Sequence, residues 1–440
     1  MDLLPEDVTA DILRRLPAHS LAAARCVHSS WRAAIDARRL MHLAPLPLAG
    51  IFINFCDHYF SELFVRPTPQ GSPTVSGKLH RYMPITGCPN QVDDNCNGLL
   101  LIACAYVVNP ATRRWATLPS PPPFRLFGSQ RFREYEYIVF DPAVSPHYEV
   151  VIVHHLPSEG AIVDLHMEGL EWPPSPMVLP VYSSATNRWE ERPFTRHGEA
   201  LGTVAEVRAP WPGDDQQYGV YWCRHLYVHH NFIMRISLVS GKYKVIKLPH
   251  NINASEWPEL RLGKSENGVY LASIASAKKL QVWILDESCA HAKWVLKHQV
   301  DLIHVLARRN YDPEAHGSWV MEDVNYHLYS DRFPDYNGLV LPENRFEWDS
   351  DNDDVLDTKD KVEGPYNKGF GILGFHPHKE VIFLSETMRR GLAYHLNTSK
   401  LQDLGNIYPT RYECFADTHE LLLFSFPYTP CWTVEFPSNN

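Results

Sequence analysis

Three groups of residues in this sequence have types and spacing that could do chemistry. His225, His229 and His230 stand close to Cys223, a donor set of the kind that holds zinc. They fall in an aromatic, strand-like run from Tyr221 to Phe232, where alternation sends His229 and His230 to opposite faces, against a shared ion. Residues 349–360 carry aspartates at 349, 351, 353 and 354, as a calcium loop would open. Its sixth position is Asp354, where the sharp turn needs glycine, and its twelfth is Asp360 rather than a bidentate glutamate. With eight acids and two lysines between Glu347 and Glu363, the stretch reads as a solvated acidic loop. His376 and His378 flank a proline in a turn. There is no P-loop, no GxSxG, no HExxH and no GxGxxG after a strand, so the expectation is no catalytic set, no metal and no cofactor.

The elements that would have to position any site divide the chain unequally. At 440 residues it exceeds one ordinary core. Thirty-five prolines, 23 glycines and 12% aromatic residues suggest many short strands joined by tight turns. A net charge of −10 argues against a general nucleic-acid binder. The first 42 residues hold six arginines against five acids, so the negative charge belongs to the remainder. The acidic start offers no signal peptide, and the longest uncharged stretch, Leu40–Cys56, is broken by Pro45, Pro47 and Gly50, so no membrane span is expected. Nine cysteines without CxxC pairs fit a reducing compartment, cytoplasmic or nuclear.

Between Leu4 and Leu40 the spacing is helical. Val8, Ile12 and Leu16 recur every four residues, Pro5 suits a first helical turn and Pro17 ends that helix. Ser20 can cap a second helix from Leu21 to Arg25, and Ser29 or Ser30 a third in which Val27, Trp31 and Ile35 fall four apart. Three short helices cannot hide this much apolar surface alone, so part of it should face another chain or domain. The run Leu4-Pro5-Glu6-Asp7, Ile12-Leu13, Leu16-Pro17, Leu21, Arg25-Cys26-Val27 and Trp31-Arg32 resembles an F-box in type and spacing. That resemblance implies docking on a Skp-family linker and, through it, on a cullin–RING ubiquitin ligase. It implies a linker-facing surface of Leu4, Pro5, Val8, Ile12, Leu16 and Pro17, joined by Leu21, Val27, Trp31 and Ile35 of the later helices.

From residue 43 to 440 short apolar runs alternate with turns, and a motif repeats. Ala111-Thr112-Arg113-Arg114-Trp115 returns as Ala185-Thr186-Asn187-Arg188-Trp189, each with a proline four residues later. Weaker copies place rungs at Tyr243, Trp294, Phe346 and Leu401. Each copy reads as a strand, a polar turn and a second strand, which is a β-hairpin. The spacings are 74, 54, 51, 52 and 55, and the long first interval points to an insertion at about 157–177. A further element, Asn97-Gly98-Leu99-Leu100-Leu101, recurs at Asn267 and Asn337. A period of about 50 residues is the kelch-like spacing of a β-propeller, here of six to seven blades; a pair of β-sandwiches is the alternative. Cys96-Asn97-Gly98-Leu99, Asn109-Pro110-Ala111-Thr112-Arg113-Arg114-Trp115 and Phe140-Asp141-Pro142 make 43–440 similar to the plant-type F-box-associated propeller domain.

The expected fold is therefore a small all-α F-box followed by an all-β propeller. The expected function is a substrate adaptor of a Skp–cullin–F-box ubiquitin ligase, without catalytic residues of its own. Trp211, between Pro210 and Pro212, is the candidate substrate contact. A propeller enzyme, hydrolase or oxidase, would instead need converging acids, histidines and tyrosines with shifted pKa in the central channel. A Skp-binding scaffold that delivers nothing for degradation is the third reading.

Overall fold

The computed structural model describes residues 5–16, 18–38, 40, 48–66, 75–85, 87, 89–122, 132–156, 165–207, 218–250, 252, 258–275, 278–288, 292–303, 317–329, 369–414, 416 and 420–432. Three helices come first: α1 (Glu6–Arg14), α2 (Ala18–Val27) and α3 (Ser29–Ala37). Among the described residues, most of the regular structure after them is β-strand, as expected. Among the described residues no helix is long and apolar enough to cross a membrane.

The strands form four-stranded antiparallel sheets that follow one another along the chain. Sheet II is Val92–Cys96, Leu99–Ile102, Tyr106–Asn109 and Arg114–Thr117. Sheet III is Arg133–Val139, Glu149–His155, Met177–Ser183 and Arg188–Arg196. Sheet IV is Gly219–Trp222, His225–His229, Ile233–Ser237 and Lys242–Ile246, joined to sheet III at its outer edge by a short parallel pairing. Sheet V is Glu259–Ser265, Gly268–Ile274, Lys279–Asp286 and Lys293–Asp301. Sheet VI is Phe370–Phe375, Val381–Glu386, Arg390–His395 and Leu401–Asn406.

Sheet I is composite. Gly50–Phe55 lies between Glu62–Val65 and the late strand Leu422–Tyr428, and Val320–Met321 completes the far edge. The two ends of the β region are thereby clasped in one sheet, which removes the open edges that a linear array would leave. The first strands of sheets II to VI and the last strand of sheet I neighbour one another in cyclic order, with the step from sheet III to sheet IV made where Gly219 meets Tyr137. Gly219 shows how tight that step is: a Cβ there would come within 2.3 Å of the Tyr137 ring.

The repeated motif has a physical basis in the third turn of sheets II, III, IV and VI. Arg113, Asn187, Gly241 and Ser399 all adopt positive φ, between 55° and 62°, and the fourth strand begins at the next residue or the one after. The rung residue follows two positions after each of them: Trp115, Trp189, Tyr243 and Leu401. Rungs also tie neighbouring sheets together. Trp189 of sheet III donates its indole N–H to the Pro119 carbonyl beyond sheet II (2.7 Å), and Trp294 of sheet V donates to the Lys247 carbonyl beyond sheet IV (3.0 Å). The Phe346 rung, Asn337-Gly338 and the acidic loop 347–363 lie outside the described residues.

The Asn-Gly element marks first turns, but not in one register. Asn97 and Gly98, both with positive φ, are the loop of a two-residue hairpin, whereas Gly268 already pairs with Ser265 and the loop there is Glu266-Asn267. Gly98 has a second constraint: a Cβ would fall 2.4 Å from that of Cys431. Within the proposed insertion, residues 165–168 are helical and Glu171–Trp172 pairs with Gly202–Thr203.

Candidate partner-binding surface

The helical unit has its own core of Leu13, Leu21, Ala24, Ala34, Ile35 and Leu40, with Leu16 and Trp31 partly buried against it. Trp432, which follows the clasping strand, packs on the same cluster and joins the helices to the β region. Arg38 beyond α3 pairs with Asp7 at the start of α1, holding the helix ends together.

These positions divide the expected linker-facing set. Val8 (43% exposed) and Ile12 (51% exposed) stand one turn apart on one side of α1, with Pro5 exposed before them. Val27, at the end of α2, is 72% exposed. Leu16 and Trp31 are half-buried. Leu21 and Ile35 are corrected: both are fully buried in the helical core and present no surface to a partner. The resemblance supplied Leu21, and the four-residue period behind Ile35 repeats a helix's inner face with the same spacing as its outer one. Leu4 and the side chain of Pro17 lie outside the described residues, as does Trp211. Covering an exposed valine or isoleucine is worth about 1.5–3 kcal/mol. Two on one helical side form an apolar stripe rather than scattered exposure.

The centre of the β region was not foreseen in the sequence. Where the innermost strands end there is a cavity of about 280 Å³. Arg261, 4% exposed, donates through Nη2 to the Ser425 carbonyl and to that of Leu373 (3.5 Å), and its guanidinium lies 3.3 Å above the Tyr218 ring. Asp94 accepts from the Ile138 N–H (2.9 Å) and Glu259 from that of Ile372 (2.8 Å). Burial pushes the Glu259 carboxyl up to about 7 and Asp94 well above its ordinary range. Asn95 donates to the Pro427 carbonyl (2.9 Å), and Lys264 to Asn97 Oδ1 (2.7 Å) and the Tyr221 carbonyl (3.3 Å). Each of these bonds crosses between innermost strands or their turns. Cys96 also lines the cavity; burial lifts its thiol to about 11 and it donates to the Phe140 carbonyl, so it is no ready thiolate. A signal was present in the alternation Leu260-Arg261-Leu262, where a cation interrupts an apolar strand.

At the opposite ends of the strands the histidines meet differently from a metal site. His155 and His230 stack face to face at 3.6 Å between ring centroids, and His230 stacks in turn on Phe232. Among the described residues no three His, Cys, Asp or Glu side chains converge as metal ligands. His225 instead lies 2.8 Å from the Cys223 carbonyl and 3.0 Å from Arg235 Nη2. Burial, with repulsion from His229, pushes His230 down to about 3, and burial with its histidine neighbours holds His155 well below the usual range. A depressed imidazole contributes stability that is whole above the unfolded value of about 6.5 and is lost as pH falls towards the folded one. His230→Phe, which keeps a ring between His155 and Phe232, is expected to shrink the drop in thermal midpoint between about pH 7 and about pH 4. Thermal melts across that range check it, and an unchanged pH slope would remove His230 from the acid response.

With this geometry in view, comparison with known proteins is informative at the N-terminus. Residues 1–43 match the F-box domain family, so the three-helix unit is an F-box domain. Arabidopsis thaliana F-box protein At1g11270 is 30% identical over 148 residues, 31% of this chain and 44% of that protein. Putative F-box protein At5g52610 from the same plant is 27% identical over 163 residues, 34% of this chain and 41% of that protein. The match thus spans under half the length of these relatives. Among solved structures, the WD40 domain of SCAP from fission yeast superposes with a TM-score of 0.25 at 12% identity, over 83% of this chain and 88% of that one. A likeness that loose carries no argument; the fold rests on the strand pairing.

Proposed function

We propose that this protein is the substrate-recognition subunit of a Skp–cullin–F-box ubiquitin ligase, of the plant type. The observation that carries the proposal is the exposed Val8–Ile12 stripe on a domain matched as an F-box. In this reading residues 1–42 dock on the Skp-family linker and 43–440 form the recognition domain. The sheets in cyclic order around one centre, clasped between Gly50–Phe55 and Leu422–Tyr428, support a six-bladed propeller with a kelch-like period. No residue of this chain transfers ubiquitin; the mechanism is proximity, which holds a substrate's lysines near a charged carrier. The enzyme reading has one observation in its favour, the shifted Asp94 and Glu259 at the centre, yet both serve as acceptors for neighbouring backbone N–H groups.

Mixing the purified chain with a recombinant Skp-family linker is expected to give a one-to-one complex by size-exclusion chromatography with light scattering. A linker that elutes separately at micromolar concentrations would overturn the assignment.

A further inference from the structure

We propose that the central cavity is a binding site for a small monocarboxylate with an apolar body, held by Arg261 and Lys264. The case begins with hydrogen-bonding capacity left unused. Arg261 Nη1 is buried and has no hydrogen-bond partner among the described residues, although Nη2 of the same guanidinium is engaged. The Thr429 hydroxyl, also in the cavity wall, is in the same position. Lys264 has three N–H donors, of which two are directed at Asn97 and Tyr221. Buried donors are nearly always satisfied in native proteins, so Arg261 Nη1 and the Thr429 hydroxyl in residues of one cavity wall point to an acceptor there.

Charge identifies the acceptor. Neither Arg261 nor Lys264 has a carboxylate at ion-pair distance among the described residues, and the acids nearest to Arg261, Asp94 and Glu259, are biased by burial towards their neutral forms. The wall therefore sets two cations, Arg261 and Lys264, against Asp141 and an Asp94 whose charged form burial disfavours, and a planar carboxylate can meet a guanidinium. Asp141 in the same wall weighs against a polyanion. Size and lining supply the rest. About 280 Å³ is near the lower end of the ~300–1,000 Å³ typical of small-molecule sites. Phe375 and Phe426 add apolar wall beside Tyr218. The cavity is independent of linker docking, since Val8 and Ile12 do not line it.

The test uses the full chain and a panel of butyrate, hexanoate and benzoate, with benzamide as the uncharged counterpart of benzoate and inorganic phosphate as the other anion. Binding is read by saturation-transfer NMR and isothermal titration calorimetry. At least one carboxylate is expected to bind, benzamide at least about tenfold more weakly than benzoate, and Lys264→Met to weaken the carboxylate about tenfold. Arg261 crosses between strands, so Arg261→Lys accompanies it with a circular-dichroism control for folding. Benzamide binding as well as benzoate, phosphate binding in place of every carboxylate, an unchanged affinity in Lys264→Met, or no carboxylate bound at millimolar concentration would each overturn the proposal.

Discussion

Replacing Val8 and Ile12 together by aspartate is expected to leave the F-box folded and to weaken Skp-family linker binding at least ~100-fold. Both side chains are substantially exposed in the free chain, so the new carboxylates stay hydrated and the helical core of Leu13, Leu21, Ala34 and Ile35 is untouched. In the complex the same carboxylates would be buried against an apolar partner surface. Desolvating an unpaired charge costs several kcal/mol, more than the two aliphatic contacts it replaces. The contrast is Leu21→Asp, which places the charge at a fully buried position and is expected to unfold the helices. Titration calorimetry with the linker, beside circular dichroism of each variant, separates the cases. Unaltered affinity in the folded double variant would place the docking surface elsewhere on the domain.

A chain ending after Glu420 is expected to lose cooperative folding of the β region. The strand Leu422–Tyr428 pairs with Gly50–Phe55 along its length and buries Phe426 and Tyr428. Its backbone also serves its neighbours: the Ser425 carbonyl receives Arg261, the Pro427 carbonyl receives Asn95, and the Tyr428 hydroxyl reaches the Gly98 carbonyl. Two buried aromatics alone are worth on the order of 3–6 kcal/mol, comparable with the ~5–15 kcal/mol that holds a typical domain together. The truncated chain should be insoluble or bind a hydrophobic dye, and a synthetic peptide covering residues 420–440 should restore a cooperative melt. A truncated chain melting near the native midpoint would show that the clasp is dispensable.

The parts of this structure that were legible in the sequence are those with a local cause. The helices of the F-box follow from four-residue spacing and prolines, and the rungs at Trp115, Trp189, Tyr243 and Leu401 follow from one turn whose residue two positions earlier sits at positive φ. What escaped had a non-local cause. Ile51 faces Pro427 across most of the chain length, and nothing in either segment announces the other. Ile35 was assigned to a surface because periodicity reports a helical face without saying which side holds the core, and Leu21 because a motif match does not say which of its positions point inward. The Asn-Gly copies were aligned by identity, while the hairpins at Gly98 and Gly268 differ by one residue in register, which is decided by pairing. Arg261, a single cation in an apolar strand, acquires meaning only when Tyr218, Leu373 and Ser425 arrive from other sheets.

Trp432 has a consequence for how the protein is made. Its ring packs on the F-box core formed by residues near the start of the sequence, yet it follows the strand that clasps the β region. On the ribosome, the helices emerge first and wait, one aromatic side chain short, while nearly four hundred residues are translated. A chain that ends before Trp432 lacks that contact on the helical core. One side chain thus makes the packing of the helical core depend on the segment that closes the β region.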